Sequence, residues 1–347
     1  MNPQTVFVIG AGASKEVNLP TGYELKQSIS SLLDITFDYT QQKSGDPQIV
    51  SALRAIVKKP DGQRGDIKPY LHEAWHIRDA LPLAISIDNF IDSQRGNEKI
   101  SVCGKLAIVK SILVAERSSN LFFDKFGRNP GLNYTVLGKT WYLPFFQLLT
   151  ENCEVNDLEE RFKSISLIIF NYDRCIEHFL YNALQNYYRI SENEAAELIK
   201  LIRIYHPYGS VGSLPWNISN GAVDFGAEFN VDQLLKLTQQ IKTFTEGTDP
   251  ESSDIMDIKE HTHTAKKIVF LGFAFHKLNM ELIAPNKSGK KKTITPRCFA
   301  TTFGISESDK EVIEEQINQL YGAPTDVRMA NLECGKFFTE FRRSLAF

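Results

Sequence analysis

The segment at residues 6–14, Val-Phe-Val-Ile-Gly-Ala-Gly-Ala-Ser, constrains the fold of this chain more than any other. Its apolar run, residues 6–9, is typical of a strand buried on both faces of a parallel sheet. The glycines that follow permit a sharp turn and let a phosphate or ribose approach main-chain N–H groups. The pattern predicts a nucleotide-sized ligand, although Lys15 stands where the dinucleotide fingerprint has its third glycine.

Further short apolar runs predict four more core strands, at residues 165–170, 202–205, 268–271 and 298–301. Each run is followed by polar or glycine-containing residues and then by helical periodicity, which is typical of an α/β fold. After the first strand, Thr21 and Glu24 have the spacing of a capping box and predict the start of a helix. We therefore predict a Rossmann-like parallel sheet flanked by helices.

Residues 36–163 have a different character. They contain helical stretches, clearest at residues 100–116, and loops rich in Gly and Pro, but no convincing series of strands. We predict that they form a mainly helical lobe, inserted into a Rossmann-like core made of residues 1–35 and 164–347. Within that core, the polar composition of residues 245–265 predicts a loop.

Composition excludes several classes of protein. The net charge of −3 argues against a general nucleic-acid-binding surface, so we expect no sequence-specific contact with nucleic acid. The five cysteines include no CxxC pair, which excludes a four-cysteine zinc ribbon and fits a reducing cytoplasm. No segment approaches the roughly 18 continuous apolar residues of a membrane span, and the N-terminal run is too short for a signal peptide. We expect a soluble cytoplasmic protein without a membrane partner.

Chemistry-bearing residues follow four of the predicted strands. They are Gly10, Ala11, Gly12 and Ser14 after the first strand, Asn171, Tyr172 and Asp173 after the second, His206, Tyr208, Gly209 and Ser210 after the third, and Gly272, Phe273, Phe275 and His276 after the fourth. Ligands of open parallel sheets bind beyond the carboxyl ends of the strands. An amide, a carboxylate, an imidazole and two glycine turns are thus predicted to meet at one edge of the sheet.

Four of these elements, in this order, resemble the sirtuin superfamily, in particular its zinc-free bacterial branch found in anti-phage defence proteins. They are Gly-Ala-Gly-Ala-Ser with the later Leu-Pro-Thr-Gly that contains Thr21, Phe-Asn-Tyr-Asp at residues 170–173, His-Pro-Tyr-Gly-Ser at residues 206–210, and the segment at residues 270–279 that ends at Asn279. The last is similar to the glycine turn that approaches the adenosine end of NAD. The resemblance covers the first 35 residues and most of the chain after residue 164.

The resemblance implies an NAD glycohydrolase that cleaves the nicotinamide–ribose bond, releases nicotinamide and ADP-ribose, and depletes NAD during bacterial anti-phage defence. Asn171, Asp173 and His206 are the implied catalytic residues, which orient the ribose, hold the carboxamide and activate a water. The glycines at 10 and 12 and Ser14 would contact the diphosphate, and the remaining residues named above would complete the NAD site. The family also implies homo-oligomers, or a second protein such as an ATPase that supplies the trigger.

Two departures from the family pattern leave alternatives open. Without a zinc ribbon, protein deacetylation is disfavoured, and NAD is expected as a substrate with no zinc present. Sirtuins place the catalytic histidine directly before a Gly-Ser or Gly-Thr pair, where this chain has Tyr208. His206 lies two residues earlier and on a strand would point the same way. The alternative is a non-catalytic sensor that binds NAD or an ADP-ribose-derived signal.

The same residues also permit simpler or unrelated roles. The glycines after the first strand can be purely architectural, and Asn171 and Asp173 can cap the following helix. Separately, residues 72–76 read His-Glu-Ala-Trp-His and satisfy the H-E-x-x-H pattern of zinc metalloproteases. The extended pattern of one large metalloprotease group is absent, because Asp79 and Pro82 stand where its glycine and third histidine are required. A metalloprotease is therefore a remote alternative.

Overall fold

A parallel sheet of six strands organises the chain in the structure, a computed structural model that describes residues 4–128, 130–217, 222–247, 252–285, 295–321 and 324–347. Its strands are β1 (Thr5–Ile9), β4 (Ile165–Ile169), β5 (Arg203–Tyr205), β6 (Lys267–Leu271), β7 (Arg297–Thr301) and β8 (Asp326–Ala330). Two short strands, β2 (Thr36–Asp38) and β3 (Gln41–Ser44), form a separate antiparallel hairpin.

Helices connect the strands and cover both faces of the sheet. They are α1 (Ala11–Ser14), α2 (Gly22–Leu33), α3 (Pro47–Ile56), α4 (Lys68–Ala80), α5 (Ile87–Ser93), α6 (Glu98–Arg117), α7 (Tyr134–Leu137), α8 (Tyr142–Thr150), α9 (Leu158–Lys163), α10 (Cys175–Tyr188), α11 (Glu192–Lys200), α12 (Val231–Thr238), α13 (Phe244–Gly247), α14 (Ser253–Thr264), α15 (Lys277–Ile283), α16 (Glu307–Tyr321), α17 (Cys334–Glu340) and α18 (Arg342–Leu345). None of these described helices is both long and apolar enough to cross a lipid bilayer.

The strand order is β5-β4-β1-β6-β7-β8, and every neighbouring pair in the sheet is parallel. The chain therefore starts in the middle of the sheet, extends it to one side through β4 and β5, and returns past β1 to build the other side. This is the strand order of dinucleotide-binding Rossmann folds, which bind their ligand where the order reverses. Here the reversal lies at the carboxyl end of β1.

The predicted Rossmann-like sheet is confirmed. The five predicted strands correspond to β1, β4, β5, β6 and β7, with boundaries within one residue of the observed ones. The predicted capping box is also present: Thr21 accepts a hydrogen bond from the main-chain N–H of Glu24, whose carboxylate accepts from Thr21 in return. Parallel strands covered on both faces are almost entirely apolar, which is why simple hydrophobic runs located them.

The segment between β1 and β4 is mainly helical, as predicted, but two local predictions were wrong. Residues 36–44 form the β2–β3 hairpin, although no strand was predicted there. The polar stretch at residues 245–265 was predicted as a loop, and its described part instead includes the helix α14. Its buried apolar residues Ile255 and Ile258 lie three positions apart, and the polar residues His261 and Thr262 are buried as well. The helix therefore buries only a narrow apolar stripe, which explains the weak hydrophobic pattern of its sequence.

Two hydrophobic clusters fill the space on either side of the sheet. One contains Val6 and Val8 of β1 and residues of α2, α3, α4 and α6. The other contains Phe7 and Ile9 of the same strand, with residues of α8, α10 and α17. Residues 36–163 contribute to both clusters, so this segment packs directly against the sheet. The predicted domain boundaries themselves stay a prediction.

Candidate functional site

Two glycine turns meet where the strand order reverses. Ile9 is in register with Ile169 on one side and Leu271 on the other, so the three strands end level. The N–H of Gly10 donates to the Leu271 carbonyl at 2.9 Å, and the N–H of Gly12 donates to the Gly272 carbonyl at 3.0 Å. A Cβ on Gly272 would lie 2.0 Å from the main-chain nitrogen of Ala13. The glycines are therefore required for the close packing of one turn on the other.

A buried hydrogen bond joins the ends of β1 and β4. The amide nitrogen Nδ2 of Asn171 donates to the hydroxyl of Ser14 at 2.9 Å. Both side chains are buried, with 6% of Asn171 and 2% of Ser14 exposed. The carbonyl oxygen Oδ1 of Asn171 is also buried and has no hydrogen-bond partner among the described residues. A buried polar atom of this kind calls for an explanation, since most such atoms are paired.

Asp173 lies beside this pair and holds the start of α10. Its Oδ1 accepts a hydrogen bond from the main-chain N–H of Cys175 at 3.1 Å, so it has the capping-type role considered above. Burial raises the pKa of the Asp173 carboxyl, against the opposing effect of hydrogen bonds from Cys175 and Ser14. The carboxyl is thus easier to protonate than an ordinary aspartate.

His206 is held from both sides of its ring. Nε2 lies 2.7 Å from Oε1 of Glu177, and Nδ1 lies 3.2 Å from the main-chain carbonyl oxygen of Asn171. Burial lowers the pKa of His206, but the Glu177 carboxylate and the Asn171 carbonyl together raise it above its ordinary value. Both partners are hydrogen-bond acceptors, so the arrangement suits a protonated imidazolium that donates from both nitrogens. The predicted role of His206 as a neutral base requires one of these bonds to open.

Tyr172 and Tyr208 belong to the hydrophobic cluster that contains Val6, and not to the one that contains Ile9 and Cys175. The Tyr172 hydroxyl donates to the carboxylate of Asp88 in α5, and the Tyr208 hydroxyl donates to Oδ1 of Asn279 in α15. The second bond links the segment after β5 to the helix after β6. The predicted site residues are thus divided between the two faces of the sheet.

The remaining predicted ligand contacts have structural partners. Ala11 begins α1. Gly209 has a φ of +73°, and a Cβ there would lie 1.9 Å from the carbonyl oxygen of Gln240. The Ser210 hydroxyl donates to the Gly212 carbonyl at 3.4 Å. Thr21 is engaged in its capping box.

The segment after β6 packs mainly into the core. Phe273 and Phe275 are buried, and both contact Phe270 and each other. His276 precedes α15 at its N-cap position and is exposed, and its side chain makes no capping hydrogen bond. The predicted contacts of these three residues with NAD stay predictions.

The H-E-x-x-H residues lie in α4, as their spacing requires. His76 is 3.6 Å from Glu73, and the ring of His72 packs against Trp75. Within the described ranges, no group of three or more His, Cys, Asp or Glu side chains is arranged to hold a metal ion. The remote metalloprotease alternative therefore gains no support from this helix.

Glu177 is the residue of this region that sequence reasoning missed. It lies in the first turn of α10, four positions after Asp173, so helical spacing brings both carboxylates to one end of that helix. That spacing was the available signal, but acidic residues are common in the first turn of any helix.

A scan against protein-family models finds no match for the chain, and a search of curated proteins finds no matching protein.

Proposed function

We propose that this chain is a sirtuin-like NAD glycohydrolase that cleaves the nicotinamide–ribose bond and releases nicotinamide and ADP-ribose. One observation carries the proposal. In a sheet with the strand order of dinucleotide-binding folds, Ser14, Asn171 and His206 from three separate segments are connected at the edge where the order reverses. The sequence resemblance supplies the substrate and the reaction.

Asn171 is the best candidate for contacting the substrate. Its Nδ2 is fixed by Ser14, which sets the orientation of the amide, and its Oδ1 has no hydrogen-bond partner in the described parts of the chain. A ribose hydroxyl or the carboxamide N–H of NAD is a suitable donor for that oxygen. Holding the ribose in one orientation is the main demand of this reaction, because the nicotinamide is already a cationic leaving group.

His206 is proposed to act in two stages. As an imidazolium it donates one hydrogen bond to the main-chain carbonyl of Asn171 and one to the carboxylate of Glu177, and so holds the two together. When the substrate displaces one of these bonds, the freed N–H can donate to a water. Once that nitrogen has released its proton to the solvent, it can accept a proton from the water and so activate it. When its carboxyl is ionised, Asp173 would then stabilise the positive charge that develops on the ribose.

The biological setting belongs to the same proposal. An enzyme that depletes NAD must be restrained, so we propose a role in bacterial anti-phage defence, with activation through homo-oligomers or through a partner such as an ATPase. A cytoplasmic location follows from the same proposal, since that is where the NAD pool and the infecting phage are found.

The test is to incubate the protein with NAD and to measure released nicotinamide by chromatography. We expect Asn171→Ala to reduce turnover by roughly 100-fold or more, the usual effect of removing one positioned polar group from an active site. Asn186→Ala, at an exposed asparagine on α10, is the matched control and should leave turnover unchanged. Turnover that Asn171→Ala does not alter would exclude Asn171 from the reaction.

A second candidate is a sensor that binds NAD or an ADP-ribose-derived signal without cleaving it. The specific observation in its favour is that Tyr208 replaces the usual histidine while both nitrogens of His206 are already bonded. Saturable NAD binding with no release of nicotinamide, measured under the same conditions, would favour the sensor over the enzyme.

A further inference from the structure

The two nitrogens of the His206 ring have different neighbours. Nε2 lies 2.7 Å from Oε1 of Glu177 in α10, and Nδ1 lies 3.2 Å from the main-chain carbonyl oxygen of Asn171. Asn171 is the proposed substrate contact, so Nδ1 is the ring nitrogen on the substrate side. Both Glu177 and His206 are largely buried, with 13% and 14% of their side chains exposed, which keeps the pair in one geometry.

The two hydrogen bonds also differ in strength. A bond to a carboxylate is shorter and about twice as strong as a bond between neutral groups. The bond to Glu177 has a carboxylate acceptor and is the shorter of the two, whereas the bond to Asn171 has a neutral acceptor and is the longer. When the imidazolium of His206 loses one proton, the weaker bond is the one that is given up. The neutral ring therefore keeps its proton on Nε2 and has its lone pair on Nδ1.

Other charged groups near His206 act on it less strongly or have partners of their own. Burial lowers the pKa of His206, the Glu177 carboxylate raises it, and Asp173 also raises it but less than Glu177 does. Two cations line a cavity beside β5 together with His206 and Glu177. They are Arg174, paired with Glu116 at 2.6 Å, and Lys200, paired with Glu197 at 2.7 Å. The charge beside Nε2 is therefore set mainly by Glu177.

We propose that Glu177 is a positioning residue that keeps the proton of neutral His206 on Nε2 and so makes Nδ1 the nitrogen that acts on the substrate side. The reaction it serves rests on the proposed function. In that reaction the water oxygen bonds to the anomeric carbon of the ribose, and the bond from that carbon to nicotinamide breaks, its electron pair going to the nicotinamide nitrogen. Nδ1 takes the proton of the water. His206 is then an imidazolium again and returns this proton to the solvent before the next cycle.

The first experiment follows the ¹⁵N signals of the His206 ring through a pH titration of the unaltered protein without NAD. The chain has seven histidines, so the signal is assigned by its loss in His206→Gln. A ring nitrogen that carries a proton resonates far from one that does not, and the spectrum therefore identifies the tautomer. We expect the neutral ring to carry its proton on Nε2. A proton on Nδ1 of the neutral ring would overturn the inference, whether or not the protein cleaves NAD.

The second experiment removes the charge of Glu177 and keeps its size. In Glu177→Gln, His206 should titrate at lower pH, because the carboxylate that raises its pKa is gone. The neutral ring should become a mixture of both tautomers, since an amide can accept through its oxygen or donate through its nitrogen. Glu98→Gln, at an exposed glutamate in the first turn of α6, is the matched control and should change neither property. An unchanged His206 titration in Glu177→Gln would refute the role of Glu177.

Nicotinamide release separates this inference from the proposed function. With NAD at neutral pH, Glu177→Gln should lower kcat roughly tenfold or more with little change in KM, and the acidic limb of its pH profile should move to lower pH. A loss of equal size at every pH, with the acidic limb unmoved, would show that Glu177 has only a structural role. If the unaltered protein releases no nicotinamide while His206 has the expected tautomer, the proposed glycohydrolase is wrong and the positioning of His206 by Glu177 stands.

Discussion

Asp88 shows how strongly burial controls the charge of a single residue in this fold. Its carboxylate accepts a hydrogen bond from the hydroxyl of Tyr172. Burial nevertheless outweighs that bond and raises the pKa of Asp88 to about 6. Burial and the nearby Asp88 also raise the pKa of the Tyr172 hydroxyl well above its usual range, so this hydroxyl remains a donor. Asp88 therefore changes its charge between acidic and neutral pH.

The stability of the protein should depend on pH through this residue. The pKa of Asp88 is about 6 when folded against 3.8 for an ordinary aspartate, so the folded state holds more protons between these values. Raising the pH from about 4 to about 6 should therefore reduce the contribution of Asp88 to the free energy of unfolding. Asp88→Asn keeps an acceptor for Tyr172 and cannot titrate. Urea unfolding across this range should show the variant gaining stability relative to the unaltered protein.

The exposed residue Asp38 provides the comparison for that measurement. Asp38→Asn removes one carboxylate from a position outside the Tyr172–Asp88 hydrogen bond, so it controls for the loss of a charge by itself. A stability difference between Asp88→Asn and the unaltered protein that stays constant from pH 4 to pH 6 would contradict the assigned pKa.

At the scale of secondary-structure elements, the junction between β1–α1 and β6–α15 depends on glycine. Gly272 has a φ of +53°, and an added Cβ would lie 2.0 Å from Ala13 N and 2.3 Å from Gly12 C. Both contacts involve main-chain atoms, which cannot move aside by a change of rotamer. The two turns are therefore fixed relative to each other before any ligand binds.

Gly272→Ala is expected to reduce the free energy of unfolding by roughly 3 kcal/mol or more, from backbone strain together with overpacking. Gly22→Ala is the matched control, because nothing lies within 4 Å of a Cβ at that position and its φ is not positive. Urea denaturation of both variants measures the difference. Similar stabilities for the two would show that the turns can separate at little cost.

The capping box of α2 yields a separate prediction about Thr21. Replacing Thr21 with Ala removes the acceptor for the N–H of Glu24 and should lower stability by about 1 kcal/mol. Thr21→Ser keeps the hydroxyl and should remain close to the unaltered protein. Thermal and urea unfolding measure both changes. If Thr21→Ala reduced NAD turnover with no loss of stability, the main role of Thr21 would be the predicted contact with the ligand and not the capping of α2.

In the molecule as a whole, one buried ion pair connects the segment between β1 and β4 to the start of the helix that follows β4. Arg174 donates to both carboxylate oxygens of Glu116 in α6, at 3.0 and 2.6 Å. It also donates to the Val223 carbonyl at 2.6 Å, while the N–H of Gly226 donates to Glu116 at 3.1 Å. The pair thus connects α6, the start of α10 and the segment after β5.

Removing both members of this pair should cost less stability than the two single losses added together. Arg174→Met or Glu116→Leu alone leaves a buried charge unpaired and should cost about 3–5 kcal/mol. The double variant should lose clearly less than the sum of the two single variants. A double-mutant cycle by urea unfolding measures this coupling, and strictly additive losses would show that the two side chains act independently.

The structure also explains which parts of the fold were predictable. The strand β8 was missed because it lies at the edge of the sheet and its sequence, Asp-Val-Arg-Met-Ala, contains no apolar run. The hairpin strand β3 is entirely polar, Gln-Gln-Lys-Ser, for the same reason. Hydrophobic patterns report burial, so elements that bury little leave a weak signal.

The candidate site was predictable as a set of positions, but its connections were not. Residues that follow parallel strands must reach one edge, which is why Ser14 and Asn171 were named together. The partner of His206 was not named, because Glu177 is 29 positions away along the chain and nothing local distinguishes it from other acidic residues at a helix start.

The central strands, the glycine turns and the capping box of α2 could be read from the amino-acid sequence, since each depends on a short-range hydrophobic pattern or on a conformational preference. Two outcomes became evident only in the folded chain: Tyr172 and Tyr208 pack in the cluster that contains Val6 and not in the one that contains Ile9, and Glu177 is the hydrogen-bond partner of one nitrogen of His206. Those outcomes depend on strand order and on side-chain distances between remote segments, which no local pattern contains.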